Sequence, residues 1–217
     1  MGWDTILFDL DGTLTDSHRS ITESTAYALS CYGIHVEDTS TLKDFIGPPL
    51  QDSFMTRYGF SAQQAIEAIG KFREYFNREG WQKDVPYAGI AQVLKRLQAA
   101  GKTLLIATSK PEVYAIRILE YLDLLQYFSL VCGAPLAEHT GARKDLIVAR
   151  ALRESGVADL SRAVMVGDRS HDVIGGQKAG LETIGVLYGY GSREELLEAG
   201  AMTLAQDPEE LCAILLS

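Results

Sequence analysis

Two carboxylates one residue apart end the first apolar run of the chain, in "ILFDLDGTLTDS" (6–17). Burying a lone carboxylate is costly unless it is paired or binds a metal. Asp9 and Asp11 are therefore either turn acids standing in water past a strand end, or groups with chemistry to do. Partners for them stand at three other places. Thr108, Ser109 and Lys110 follow the run "TLLIA"; Arg143 and Lys144 stand in "TGARKD"; Asp168 and Asp172 stand in "GDRSHD" (167–172). If the fold gathers these stretches, four acids, two hydroxyls, two lysines and an arginine share one place. Clustered carboxylates repel one another and raise their own pKa values. A hard divalent cation relieves that repulsion, and an oxygen-rich donor set suits Mg²⁺.

The elements that would position them follow from periodicity. Short apolar runs read as buried strands at 5–8 (TILF), 103–107 (TLLIA), 129–133 (SLVCG), 163–167 (AVMVG) and 183–187 (TIGVL). After the first, each is separated from the next by a segment of helical period, as at 90–100, 111–122 and 145–156. In 145–156, Leu146, Ala149, Ala151, Leu152 and Ser155 fall near helical spacing. Alternating strand and helix gives an α/β fold, a doubly wound parallel sheet. In such a sheet ligands bind beyond the carboxyl ends of the strands, where all four stretches fall. Between Asp16 and about Pro86 no strand is expected. Helices are expected instead at Ile21–Tyr32, Leu50–Tyr58 and Ala62–Trp81, the last with Phe72 and Phe76 on its inner face. This reads as a small helical domain (17–85) inserted into a core domain (1–16 and 86–217), with hinges at 16–20 and 84–89.

The bulk numbers exclude some functions. A net charge of −9 over 217 residues disfavours a nucleic-acid polymer as partner. Cys31, Cys132 and Cys212 are dispersed, so neither a disulfide framework nor a zinc site is expected, and a cytoplasmic setting fits. No signal peptide, membrane span or lipidation motif is read. His18, His35 and His139 lack partners at metal spacing.

With these residues in place, the chain resembles the haloacid dehalogenase superfamily. It is similar to the phosphoglycolate phosphatase-like and 5'-nucleotidase-like branch that carries a helical cap after the first strand. The signature DxDGT stands as "DLDGT" (9–13), the hydroxyl motif as "LLIATSK", the lysine as Lys144, and GDxxxD as "GDRSHD". The resemblance implies a Mg²⁺-dependent phosphomonoester hydrolase. Asp9 would be the nucleophile that forms an aspartyl-phosphate. Asp11 would be the general acid and then the general base. Mg²⁺ would be held by the Asp9 carboxylate, the Asp11 backbone carbonyl and Asp168. Thr108, with the backbone at Leu10, Gly12 and Ser109, would grip the phosphate, and Lys144 would neutralise charge on Asp9 and the phosphoryl group. Asp172 would orient metal waters or Lys144.

Each assignment has a plainer rival. Asp172 could only complement the dipole of the helix it opens, and Thr13 could be a cap. Lys110 could equally be a surface residue. Arg143 competes with Lys144, and Asp145 stands where the branch often has proline. In the inserted domain, Gly47 of "FIGPPLQ" (45–51) turns the chain before a helix starting near Pro49 and is the expected substrate contact. Lys43, Arg57 and Arg73 are possible anchors. Phe45, Phe54 or Tyr58 could stack on a base or be core. The expected substrate is a small phosphate ester: a nucleoside 5'-monophosphate by weak preference, or phosphoglycolate. A phosphoglucomutase-like phosphotransferase and a catalytically quiet regulatory module are the alternatives. The intact acids argue against the module. The DGT sequence, where such mutases usually read DGV, argues against the mutase. A monomer or homodimer is expected.

Overall fold

The computed structural model describes residues 2–136 and 143–217; His139 lies outside them. The sheet has six strands, all parallel, in the order β5-β4-β1-β6-β7-β8. These are β1 (Thr5–Phe8), β4 (Thr103–Pro111), β5 (Leu130–Ala134), β6 (Ala163–Gly167), β7 (Glu182–Val186) and β8 (Thr203–Ala205). The short β2 (Thr15–Asp16) and β3 (Val85–Pro86) form a small sheet of their own. The helices are α1 (His18–Ser30), α2 (Leu50–Tyr58), α3 (Ala62–Arg78), α4 (Ile90–Ala99), α5 (Glu112–Tyr121), α6 (Lys144–Ser155), α7 (Ser170–Lys178), α8 (Arg193–Glu198) and α9 (Pro208–Leu216).

The strands alternate faces with period two. Ile6, Phe8, Leu104, Ile106, Val164 and Val166 pack with Ile90 and Leu94 of α4, Leu119 of α5 and Leu211 and Leu215 of α9. Leu7, Leu105 and Met165, equally buried, point to the opposite face. Apolar residues on both faces explain why the strands read as unbroken apolar runs. Adjacent β4, β1 and β6 keep an in-step register, Phe8 opposite both Ile106 and Val166. Their carboxyl ends therefore bring Thr108, Asp9 and Asp168 to one edge.

The chain separates into two compact units. Of the described residues, one takes 2–16, Pro86–Pro135 and Arg143–Ser217; the other takes Ser17–Val85 together with Leu136. In the second unit, α1 is rich in hydroxyls that would compete with a helix. They instead bond back to carbonyls of the preceding turn, as Thr22 does to His18 and Thr25 to Ile21. Helix α3 opens with a reciprocal capping box between Ser61 and Gln64. Phe45 and Phe54 are buried and in ring contact at 5.1 Å, and Phe54 stacks on Phe60 at 5.7 Å. These rings are the unit's core, so of the two readings open for Phe45 and Phe54 the structure supports core. Arg57 pairs with Asp44, and Arg73 donates to the Leu136 carbonyl at 2.9 Å.

Three expectations shift. Helix α1 starts at His18 rather than Ile21. Strand β4 runs on through Thr108–Lys110 instead of stopping at Ala107. In α6 the buried stripe is Lys144, Ile147, Val148, Ala151 and Leu152, while Leu146 is 58% exposed and Ala149 faces solvent. Ile147 and Val148, not Leu146, share the buried face with the lysine.

Candidate active site

Asp9 follows β1 directly, and its backbone N–H still bonds the Val166 carbonyl of β6 at 2.9 Å. That bond fixes where the carboxylate stands. The chain then turns tightly, the Leu10 carbonyl accepting from Leu14 N and Thr15 N at 2.9 and 3.0 Å, while the Leu10 side chain is buried in the core. Gly12 has φ +89°, and a Cβ there would lie 2.2 Å from Asp168 Oδ2. Only glycine permits both the left-handed turn and this approach.

Lys144 opens α6 and is 5% exposed. Its Nζ donates to Asp9 Oδ1 at 2.6 Å and to the Ala107 carbonyl at 2.8 Å, and lies 2.8 Å from Asp172 Oδ1. Its stem runs against Gly175 of α7, where a Cβ would fall 2.6 Å from Lys144 Cγ. Arg143 points outward instead and pairs with Asp145. The lysine, not the arginine, thus joins the acids.

Asp168 follows β6 and is fully buried. Its Oδ2 accepts from Tyr190 N at 2.8 Å, and Thr13 Oγ1 donates to Oδ1 at 3.3 Å. Asp172, in the first turn of α7, accepts from Arg169 N at 3.0 Å through Oδ2. His171 Nε2 lies 3.6 Å from Asp172 Oδ1. Asp9, Asp168 and Asp172 offer oxygens within 4.8 Å of one another.

The charges do not balance. Burial raises the pKa of Asp9, with Lys144 opposing and Asp172 adding to the rise. Burial, then Asp172 and Asp9, raises Asp168 well above the carboxylate range. Asp172 is lowered: burial pushes it up, but the Lys144 ammonium outweighs that. Lys144 is raised, because its two carboxylates outweigh its burial. Three buried carboxylates against one buried ammonium leave two negative charges. A divalent cation with oxygen ligands supplies that charge, so the donor set fits Mg²⁺. Asp9 Oδ2 takes no hydrogen bond among the described residues, and Asp172 has both oxygens engaged.

Thr108 is buried at the end of β4, its Oγ1 accepting from Lys110 N at 3.2 Å, and Ser109 is half-buried beside it. Lys110 is not a surface residue. It is 9% exposed and its Nζ donates to Asp11 Oδ1 at 2.6 Å. The continuation of β4 aims it inward, one strand over from Asp11. The adjacency of "TSK" to a strand end was the available signal. Gly47, φ +99°, lies in the helical unit.

Comparison with known proteins gives one consistent result. A family model described as haloacid dehalogenase-like hydrolase matches residues 6–186. A 5'-nucleotidase of Pseudomonas aeruginosa is 39% identical over 208 residues, 96% of this chain and 90% of that one. The crystal structure of a predicted phosphatase from Clostridium acetobutylicum superposes with a TM-score of 0.93, at 41% identity and 98% coverage of both chains. Protein Tyrosine Kinase A (PtkA) of Mycobacterium tuberculosis superposes with a TM-score of 0.85, at 34% identity, covering 99% of this chain and 98% of that one. No helix among the described residues is long and apolar enough to cross a membrane. With "DLDGT", the hydroxyl strand end, the buried lysine and "GDRSHD" meeting at one sheet edge, the chain belongs to the haloacid dehalogenase-like hydrolases, in their phosphatase branch.

Proposed function

We propose that the chain is a Mg²⁺-dependent phosphomonoesterase working through a phosphoaspartate on Asp9, with nucleoside 5'-monophosphates as its first substrate class. The observation that carries the chemistry is Asp9: buried, with Oδ1 held by Lys144 and Oδ2 left unbonded among the described residues. One oxygen is fixed and the other is presented, which is the arrangement a carboxylate nucleophile needs. Mg²⁺, when bound, supplies charge neutralisation for the attack of an anion on an anion. Asp9, the Asp11 carbonyl and Asp168 are its proposed ligands.

Asp9 Oδ2 attacks phosphorus, and the P–O bond to the leaving group breaks. The leaving oxygen takes a proton from the Asp11 carboxyl, which Lys110 holds in place. Asp11 then takes a proton from the water that attacks the phosphoaspartate, releasing phosphate and regenerating Asp9. Thr108, Ser109 and the backbone around Leu10 and Gly12 hold the phosphoryl oxygens, and Lys144 balances their charge against Asp9. Asp172 keeps the Lys144 ammonium in position. The Gly47 loop of the helical unit is the proposed source of further substrate contact.

The substrate class rests on the likeness to the 5'-nucleotidase, since Phe45 and Phe54 are committed to the core. The likeness to a protein tyrosine kinase supports a second reading, transfer to a hydroxyl acceptor instead of water. The test is phosphate release from nucleoside monophosphates, phosphoglycolate, sugar phosphates and phosphotyrosine, with Mg²⁺ or chelator. Fastest Mg²⁺-dependent release from a nucleoside monophosphate supports the proposal. Release from phosphoglycolate alone overturns the substrate class, and no release, with transfer to an added tyrosine peptide, overturns hydrolysis.

A further inference from the structure

The motif "YGYG" (188–191) follows β7 and enters none of the steps above. It is nonetheless packed against the metal-site turn more tightly than any side chain would permit. A Cβ on Gly189 would lie 2.3 Å from the Gly12 carbonyl oxygen and 2.4 Å from Asp168 Cβ. One on Gly191 would lie 2.0 Å from the Asp168 carbonyl oxygen. The two tyrosines tie the same loop down by hydrogen bonds. Tyr188 OH donates to the Thr13 carbonyl at 3.1 Å, and the Tyr188 ring meets Tyr87 edge-on at 5.1 Å. Tyr190 is held at both ends: its N–H donates to Asp168 Oδ2 at 2.8 Å, and its OH donates to Asp16 Oδ1 at 2.7 Å and also meets the Tyr87 hydroxyl. Asp16 is the last residue of the first segment of the α/β unit.

We propose that Tyr190 is a positioning residue for the divalent cation: its phenol, anchored on Asp16, holds its own amide on Asp168 Oδ2 and so fixes the rotamer in which Asp168 faces Asp9. The reasoning is one of competing demands on a buried anion. Asp168 is crowded by Asp9 and Asp172, and a carboxylate so placed turns away from its neighbours unless it is held. Thr13 Oγ1 holds Oδ1 only at 3.3 Å. The Tyr190 amide is the shorter bond, and the amide stays in place only while the loop does. Tyr188 anchors the loop at the Thr13 carbonyl, and the Tyr190 phenol is the side-chain anchor on the residue whose amide holds Asp168. Partners one step out from the metal set metal affinity by orienting the ligands that touch it.

This inference rests on Asp168 binding Mg²⁺, and its test separates it from the hydrolase reading. Mg²⁺ affinity is measured by calorimetry on the wild type, Tyr190→Phe, Asp16→Ala and the double variant, without substrate, after checking that all four unfold cooperatively. The expected result is Mg²⁺ binding about tenfold weaker in each single variant. The double variant is no weaker than either single one, because both remove the same bond. Asp16→Asn, which keeps an acceptor for the phenol, binds Mg²⁺ as the wild type does. At saturating Mg²⁺ the kcat of Tyr190→Phe returns to the wild-type value, which a damaged fold would not allow. Equal Mg²⁺ affinity in wild type and Tyr190→Phe, or additive losses in the double variant, overturns the inference. Mg²⁺ binding without phosphate release overturns the hydrolase reading alone, and a wild type that binds no Mg²⁺ overturns both.

Discussion

Replacing Lys144 with methionine tests the electrostatic design of the site, because the stem is kept over Gly175 and only the ammonium is lost. The Lys144 side chain is 3% exposed, and its ammonium touches Asp9 Oδ1, Asp172 Oδ1 and the Ala107 carbonyl at 2.6, 2.8 and 2.8 Å. Removing it strands two buried carboxylates beside a third, Asp168. Breaking a buried ion pair by deleting one partner costs about 3–5 kcal/mol, against a total stability of about 5–15 kcal/mol. For a chain of this size each kcal/mol moves Tm by roughly 2–4 °C, so the metal-free variant melts about 6–20 °C lower. The deficit depends on pH with a definite sign. In the wild type Lys144 lowers Asp172, so that pair stabilises above the unfolded carboxylate pKa and the contribution is lost as pH falls. In the variant, burial acts unopposed and raises Asp172 and Asp9, so the native state binds protons more tightly than the unfolded one. Its stability then rises as pH falls, and the gap between the two proteins narrows from pH 7 to about pH 5. Mg²⁺ stabilises both proteins, by about 2.7 kcal/mol at one hundred times the Kd, and narrows the gap by the extent to which the uncompensated carboxylates of the variant bind it more tightly. The assay is thermal unfolding by circular dichroism, in chelator and in Mg²⁺, at both pH values. A loss below about 3 °C in chelator at pH 7, or a gap that widens as pH falls, would refute the reasoning.

Two further substitutions separate charge from catalysis. Asp168→Asn keeps an acceptor for the Tyr190 N–H and a partner for Thr13 Oγ1 but removes a charge that burial and two neighbours disfavour. The metal-free variant is expected to melt about 2–8 °C higher, for a gain of about 1–2 kcal/mol, while Mg²⁺ binding and phosphate release are lost. Because the Asp168 pKa is raised, that gain is absent below the unfolded carboxylate range and grows as pH rises toward the folded value; scanning Tm against pH checks it. Lys110→Met frees the Asp11 carboxylate from its ion pair, so kcat falls about 10–10²-fold while Mg²⁺ affinity measured by calorimetry is unchanged.

The candidate site's acids were more legible than the residues that hold them. "DLDGT" and "GDRSHD" announce themselves, since acids at the ends of apolar runs contradict burial unless they are used. The strands of the central sheet were equally plain, because both faces are covered and the pattern is continuous. What escaped was set by tertiary contact. Strand β8 is three residues long, too short for any period to register. Lys110 could be read either way, because a lysine after a strand end often reaches water; here β4 continues and turns it onto Asp11. Helical spacing in α6 admitted Leu146 and Ala149, but the phase is set by the contact of Lys144 with Asp9, which buries Ile147 and Val148 instead. The aromatic residues of the helical unit could have been core or contact surface by pattern alone, and ring packing decides it for Phe45 and Phe54. The "YGYG" loop carries no chemistry of its own, so nothing in its residue types pointed to Asp168.

The central claim is the covalent one: that Asp9, and no other acid, carries the phosphoryl group. Quenching the enzyme during turnover of a nucleoside monophosphate and reducing it with borohydride converts any acyl phosphate to the corresponding alcohol. The account predicts homoserine at position 9, and only there, by peptide mass spectrometry; it is absent in Asp9→Asn and absent without Mg²⁺. Homoserine at position 11, 168 or 172, or turnover that survives in Asp9→Asn, would contradict it.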